Sequence, residues 1–377
     1  MTSTLSSIKK KLSWLDPKVL ATVLLTKLLV LAFGAQAFQI LSDQSFAGSY
    51  WMCDIWNRWD AESYLHIAES GYTAFGEKRF LIAFFPLYPL LVGLIEKATG
   101  SFLMSAFLIS GVASIALGLV FRELVKLDHS EKIAQFSVLF LFIFPTSYFL
   151  HIPYTESLFL SLSIGCFLAA RKKYWIIAGV LGALACLTRI NGLILFFALV
   201  FEIWNEYRET RKINWEWLGL LLIPSGFIGY LALNYFVTGN PTMFLVHQRE
   251  HWAKFLTFPW VGIKRAVETT LFQTPNQAQM MGAQELLFVG IGLFATIAGW
   301  RYLRNSYRVW MAANWLLFVS TSFILSVPRY TLVMFPLFIL MALAAARNWW
   351  AQILFTVWSV LYLALFASLF VRGWWAF

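Results

Sequence analysis

Trp59-Asp60-Ala61-Glu62-Ser63-Tyr64, then Ile67-Ala68-Glu69-Ser70-Gly71-Tyr72, then Phe84-Phe85-Pro86-Leu87-Tyr88-Pro89 set carboxylates among aromatic side chains, just downstream of a long apolar run. Charge is costly near lipid, so such a cluster beside apolar segments marks a functional site by default. On a helix, Asp60 and Tyr64 share one face at i, i+4, and Trp59 and Glu62 share another at i, i+3. The bland reading of Asp60 is an N-cap opening an amphipathic surface helix, with Glu62 and Glu69 on its solvated face. The functional reading is a general base, or an anchor for a hydroxyl group. Such help is worth roughly 10²–10⁴ in rate.

Working outward, the whole chain is apolar. It has 377 residues, 60% hydrophobic and 13% charged. A soluble domain has about 45–50% apolar and about 25% charged residues. No soluble fold hides that much apolar surface, so the composition indicates an all-α polytopic membrane protein. Phe and Trp are abundant, with 36 and 18 copies. Most of them read as lipid-facing bulk and interfacial belts. The formal net charge is +10. The basic residues sit in short loops between apolar runs, which fits membrane lipids with anionic headgroups and gives no reason to invoke nucleic acid. Cys53, Cys166 and Cys186 have no metal-ligand spacing and imply no disulfide framework.

A helix needs about 20 apolar residues to cross a hydrocarbon core of about 30 Å. Eleven spans are expected, at 19–41, 103–121, 133–150, 155–170, 174–187, 191–204, 215–237, 284–300, 309–326, 331–346 and 350–371. The first reads as a retained anchor, too long for a signal-peptide core. The pair 174–187 and 191–204 reads as two half-length helices meeting at Thr188-Arg189-Ile190-Asn191-Gly192, or as thin spans around a wet cavity. Residues 80–98, with Pro86 and Pro89, read as an interfacial or re-entrant helix. The expected organisation is one domain over 1–377. It has a cytoplasmic basic tail at 1–18, an external loop at 43–98 that is amphipathic, and a second external loop at 239–283. No repeat and no low-complexity segment stands out.

Basic residues orient the chain. Lys9, Lys10, Lys11 and Lys18 precede the first span. If they lie inside and 80–98 does not cross, the loops carrying Arg122, Lys126 and Lys132, Arg171, Lys172 and Lys173, Arg208, Arg211 and Lys212, Arg301, Arg304 and Arg308, and Arg347 also lie inside. Asp60, Glu62, His151, Glu156, Arg189, Asn191, His247, Arg249 and Arg329 then land on or just beneath the external face. Polar groups converging under an apolar rim are what an active site needs.

Four further motifs carry chemistry. In His151-Ile152-Pro153-Tyr154-Thr155-Glu156, Glu156 falls in the first turn of a helix, where the dipole favours a carboxylate; the alternative is contact to a sugar hydroxyl or a metal. Arg189 in a span costs at least about 2.5–3.5 kcal/mol. It therefore meets an aqueous cavity and an anion such as a lipid phosphate, or pairs with a buried glutamate. His247-Gln248-Arg249-Glu250-His251-Trp252 suggests zinc by its i, i+4 histidines, but the Glu that should follow the first His is missing. A solvated helix, or Arg249 against phosphate, fits better. Val327-Pro328-Arg329-Tyr330 starts a helix well, with Arg329 at its mouth or snorkelling to headgroups.

Taken together these motifs resemble one family. Trp-Asp-Ala-Glu with Ile-Ala and Gly-Tyr, Phe-Phe-Pro-Leu-Tyr-Pro, Tyr-Thr-Glu-Ser-Leu-Phe, Thr-Arg-Ile-Asn-Gly, Gly-Asn-Pro followed by Phe, Gln and Trp, and Pro-Arg-Tyr occur in order over roughly residues 20–350. That order is similar to the PIG-V-type mannosyltransferases, within the GT-C glycosyltransferases. The chain departs from them at Thr188-Arg189-Ile190, where smaller residues are usual, and in being shorter than the eukaryotic members. The resemblance implies a GT-C-like fold and a polyprenyl-phosphate sugar donor. It implies a glycolipid or glycan acceptor and transfer on the external or lumenal face, with inversion. It makes Asp60 the catalytic candidate, with Glu62 beside it. Donor and substrate contacts would come from Arg189, Arg249, Arg329, Trp59, Tyr64, His151, Tyr154, Glu156, Asn191, Gln248 and Tyr330. No cofactor is required by any motif, and a divalent metal stays open without a signature. The membrane would be the plasma membrane in a prokaryote and the endoplasmic reticulum in a eukaryote. Two other classes stay open. A transporter or flippase would place polar residues at the midplane between repeated halves. A non-catalytic subunit of a glycosylation complex would bind donor and transfer nothing.

Overall fold

The computed structural model describes residues 15–42, 51–272 and 277–377. Lys9, Lys10 and Lys11, most of the expected basic tail and parts of both expected external loops lie outside the described residues. The elements are helical throughout, and the one β-bridge among the described residues joins Leu256 to Thr321. In chain order the main helices are α1 (Pro17–Ser42), α2 (Asp60–Ser70), α3 (Leu87–Thr99), α4 (Phe102–Lys126), α5 (Glu131–Ile143), α6 (Glu156–Arg171), α7 (Trp175–Cys186), α8 (Leu193–Thr210), α9 (Leu222–Thr238), α10 (Met243–Trp252), α11 (Pro259–Phe272), α12 (Gln277–Tyr302), α13 (Asn305–Val319), α14 (Val327–Thr331), α15 (Pro336–Arg347) and α16 (Trp349–Val371).

Six helical stretches among the described residues are long and apolar enough to cross a membrane. The turn Glu77–Ala83 and α3 form a seventh candidate, bent by 110°. The protein is therefore a multi-pass membrane protein, with fewer full-length spans than the eleven expected. Hydropathy does not register breaks. Pro145 follows α5 and leaves it 13 residues long, about 20 Å. Thr188–Gly192 breaks the chain after α7, which has 12 residues. The stretch after that break is no half-helix, because Ile190–Thr210 forms a 21-residue span. The short helices α5, α6 and α15 make the interior, with Phe140, Phe142, Phe159, Phe167 and Phe338 fully buried, as is Trp310 of α13. Leu24, Leu25, Leu28 and Leu29 of α1 face outward, as lipid contact requires. Small residues let helices touch: a Cβ on Gly226 of α9 would meet the Ala183 backbone oxygen of α7 at 2.0 Å.

Helix α6 spans the interior from Glu156 to Arg171, about 22 Å by helical rise. Each end carries a charge cluster. At its C-terminus Arg171 meets Asp128, and Arg304 meets Glu202. At its N-terminus lies the polar cavity described next.

Candidate active site

Five segments bring polar groups to the N-terminal end of α6. Helix α2 begins at Asp60, but the Asp60 side chain does not cap it; the preceding Trp59 occupies that place, at φ 58°. A bulky residue in the left-handed region is strained backbone, held here by an edge contact between Trp59 and Trp375 at 5.1 Å. The carboxylate of Asp60 is thereby free to reach another element. Its Oδ2 accepts from Nη1 of Arg329 at 2.7 Å.

Arg329 sits on the short helix α14. Glu285, on α12, accepts from the backbone amides of Ser326 (2.6 Å) and Val327 (2.7 Å) and so satisfies the start of that helix. Arg329 does not snorkel to the surface as expected. It is buried, stacked over the rings of Tyr154 (4.6 Å) and Phe149 (4.8 Å). Its Nε donates to Glu156 Oε1 at 2.5 Å. The same oxygen accepts from Nη1 of Arg189 at 2.5 Å, and Arg189 also reaches Thr155 Oγ1 at 3.2 Å. Arg189 pairs with a buried glutamate, one of its two expected roles, and it also lines the cavity. Its backbone is placed by the break at Gly192, where a Cβ would come within 2.5 Å of the Cys186 nitrogen. Only glycine permits that approach.

The cavity holds about 590 Å³ and is lined by Asp60, Tyr64, Arg189, Asn191, Gln248, Arg249, Lys254, Arg329 and Tyr330 on its polar side. Phe244, Leu245, Phe255, Leu256, Leu317 and Phe318 form an apolar wall, and Leu256 is largely exposed. One carboxylate thus faces four cations. The field is felt at Tyr330. Burial alone raises its phenol, but Lys254, Arg329 and Arg189 outweigh that and hold it below its ordinary value. The Lys254 ammonium lies 5.2 Å from the Tyr330 ring. Asp60 keeps 32% of its side-chain exposure, whereas Glu156 is fully buried behind the two arginines. Asn191 donates to Asn314 Oδ1 at 2.7 Å, which fixes it across the cavity floor.

Several expected site residues fall elsewhere. Glu62 is exposed and outside the lining, because two residues along a helix turn it about 200° from Asp60. His151 is fully buried with both ring nitrogens unpartnered among the described residues. Burial, with Lys27 adding repulsion, holds its imidazole down to about 3. It does not reach the cavity. The Tyr154 hydroxyl donates to the Arg58 carbonyl at 2.9 Å, so this residue supports Arg329 from behind. Trp59 lines a separate small recess with Trp375. Lys254, Asn314 and Glu285 were not anticipated. The signal for Glu285 was available: a lone carboxylate inside an apolar run needs a partner. Among the described residues no group of three or more His, Cys, Asp or Glu side chains gathers to hold a metal ion.

Fold and cavity together define a multi-pass, all-helical membrane protein with a cation-rich cavity beside an apolar wall. In sequence the chain is 31% identical over 109 residues to GPI mannosyltransferase 2 of Yarrowia lipolytica, covering 28% of this chain and 30% of that one. It is 32% identical over 150 residues to GPI alpha-1,6-mannosyltransferase 2 of Rattus norvegicus, and 33% identical over 150 residues to that of Mus musculus. These matches cover 37% of this chain and 30% and 29% of the relatives. The chain thus covers about 30% of the length of the curated relatives it matches. No family model matches. The oligosaccharyltransferase of Archaeoglobus fulgidus in its apo form aligns with a TM-score of 0.46 at 10% identity, over 97% of this chain and 57% of that one.

Proposed function

We propose that the protein is a glycosyltransferase that moves mannose from a polyprenyl-phosphate donor to a hydroxyl of a glycolipid or glycan acceptor. The observation that carries this reading is the placement of Asp60. Among the described residues it is the one carboxylate that lines the cavity, it keeps solvent access, and it is fixed at 2.7 Å by Arg329. Likeness to mannosyltransferases supports the choice of sugar. The apolar wall suits the lipid tail of the donor, and the cations suit its phosphate.

In the step, the acceptor oxygen bonds to the anomeric carbon as the bond from that carbon to the phosphate oxygen breaks. The acceptor proton passes to Asp60, and the electron pair leaves on the polyprenyl phosphate. Attack opposite the leaving group inverts the anomeric centre. Arg189, Arg249 and Lys254 surround the leaving phosphate and stabilise its growing charge. Well-placed groups of this kind contribute about 2.7–4 kcal/mol each. Arg329 has two of its three nitrogens engaged by Glu156 and Asp60, so it positions the base more than it binds the donor. By the distribution of basic residues, the cavity opens on the external or lumenal face.

The test is a transfer assay with purified protein in liposomes, radiolabelled polyprenyl-phosphate mannose and a lipid extract as acceptor. Label entering a lipid-linked glycan supports the reading. Donor that stays intact with every acceptor offered overturns it.

A further inference from the structure

A second void, of about 780 Å³, opens between α12, α15 and α16 and shares no lining residue with the cation-rich cavity. Its walls are apolar, with Leu287, Phe294, Leu340, Met341 and Leu354 among them, and its one charged lining residue is Arg347. Phe294 and Leu354 are largely exposed, so the groove opens to the surroundings of the helices. From Leu287 to Tyr302 helix α12 rises about 22 Å. One leaflet of hydrocarbon is about 15 Å deep, so the groove accommodates an extended acyl chain.

The charged end of the groove is distinctive. The Arg347 guanidinium lies 5.8 Å from the Tyr302 ring, and that of Arg301 lies 6.0 Å from the same ring. Neither arginine has a carboxylate or hydrogen-bond partner among the described residues, although Arg304 nearby in sequence is paired with Glu202. Trp300, Trp349 and Trp350 flank this end and are mostly exposed. Tryptophans of that kind mark the headgroup level of a bilayer. Two unpaired guanidinium groups against one ring repel each other and are stabilised together by an anion. A transmembrane helix seated in the groove would bury them against apolar surface, at a cost. A free anion would leave the apolar walls uncovered.

We propose that this groove binds one anionic glycerophospholipid from the leaflet on the arginine-rich side, with an acyl chain along α12 and its phosphate between Arg301 and Arg347. The inference needs only that the chain crosses a membrane and is independent of the transferase reading. The test is native mass spectrometry of the full chain in detergent, titrated with phosphatidylglycerol or with phosphatidylcholine of the same chains. The wild type is expected to retain phosphatidylglycerol and to release phosphatidylcholine. Arg347→Gln is expected to weaken retention about five-fold, and the double variant with Arg301→Gln about 25-fold. Ala344→Trp, which fills the groove and leaves both arginines in place, is expected to remove the bound lipid. Both sites are at the surface end of their helices, and circular dichroism checks that the variants fold. Equal retention of the two lipids, undiminished phosphatidylglycerol on the double variant, or a wild-type dimer that Ala344→Trp dissociates would each overturn the proposal.

Discussion

The two ends of α6 carry charge clusters of different design. At the C-terminal end, Arg171 grips Asp128 through two nitrogens at 2.7 and 2.8 Å. Arg304 meets Glu202 at 3.0 Å, and the Ser306 hydroxyl donates to the same carboxylate. Two guanidinium groups answer two carboxylates, and the set is closed. At the N-terminal end, Glu156 Oε1 serves two arginines, its Oε2 has no partner among the described residues, and neither Arg249 nor Lys254 forms an ion pair with a carboxylate among the described residues. Matched charges fasten helices; surplus cations around a void suit the anionic donor proposed above. Burying charge is costly unless it is paired, so the phosphate of the proposed donor would offset that cost.

Substitutions at the two ends separate fastening from chemistry. The largest effect is expected for Arg329→Gln. It leaves Glu156 and Asp60 without their shared partner, and removing one member of a buried pair costs about 3–5 kcal/mol. Thermal unfolding should drop steeply and transfer should vanish together. Arg171→Gln at the other end should lower the unfolding temperature by an amount equivalent to about 1–3 kcal/mol. Its remaining folded protein should transfer sugar at the wild-type rate. A loss of transfer larger than the loss of folded protein would merge the two regions into one.

Acid should loosen the closed cluster. Burial alone raises the Asp128 carboxyl, but the hydrogen bonds from Arg171 and the charges of Arg171 and Arg304 outweigh it and hold the group below its ordinary 3.8. A carboxyl depressed on folding stabilises the native state above its unfolded pKa, and that contribution fades as pH falls through the folded value. The unfolding temperature should therefore decline as pH is lowered from about 5 towards 3. Arg171→Gln should flatten that decline, and an unchanged slope would remove Asp128 from the account. The smallest effect is expected for Lys254→Gln. Its ammonium is exposed to the cavity, so donor KM should rise several-fold with kcat little changed, as initial-rate kinetics would show. A fall in kcat with KM unmoved would place Lys254 on the reacting centre instead.

How far the site was legible depends on what each residue costs where it sits. Asp60, Glu156, Arg189 and Arg329 stood out because charge among apolar residues needs a reason. Their mutual pairing did not, since Arg329 and Asp60 are 269 positions apart and nothing local announces the contact. Lys254 escaped notice because it follows a polar helix end and looks solvated. What places it is the left-handed Ala253 and the pairing of that strand-like segment with Ser320–Ser322. His151 was misread for the opposite reason: a histidine beside a proline turn looks functional, yet its ring is packed beneath Phe142. Span boundaries were legible from hydropathy, whereas span lengths were not, because helices end before Pro145 and at Cys186 without ending apolar runs.

The most direct test of the account compares donor binding and sugar transfer in one preparation of Asp60→Asn. The asparagine keeps the size and an oxygen acceptor for Arg329, so the fold and the phosphate contacts should survive. Polyprenyl-phosphate mannose is expected to bind as in the wild type, while transfer falls by about 10²-fold or more. Transfer near the wild-type rate with donor bound would contradict the assignment of Asp60 as the base.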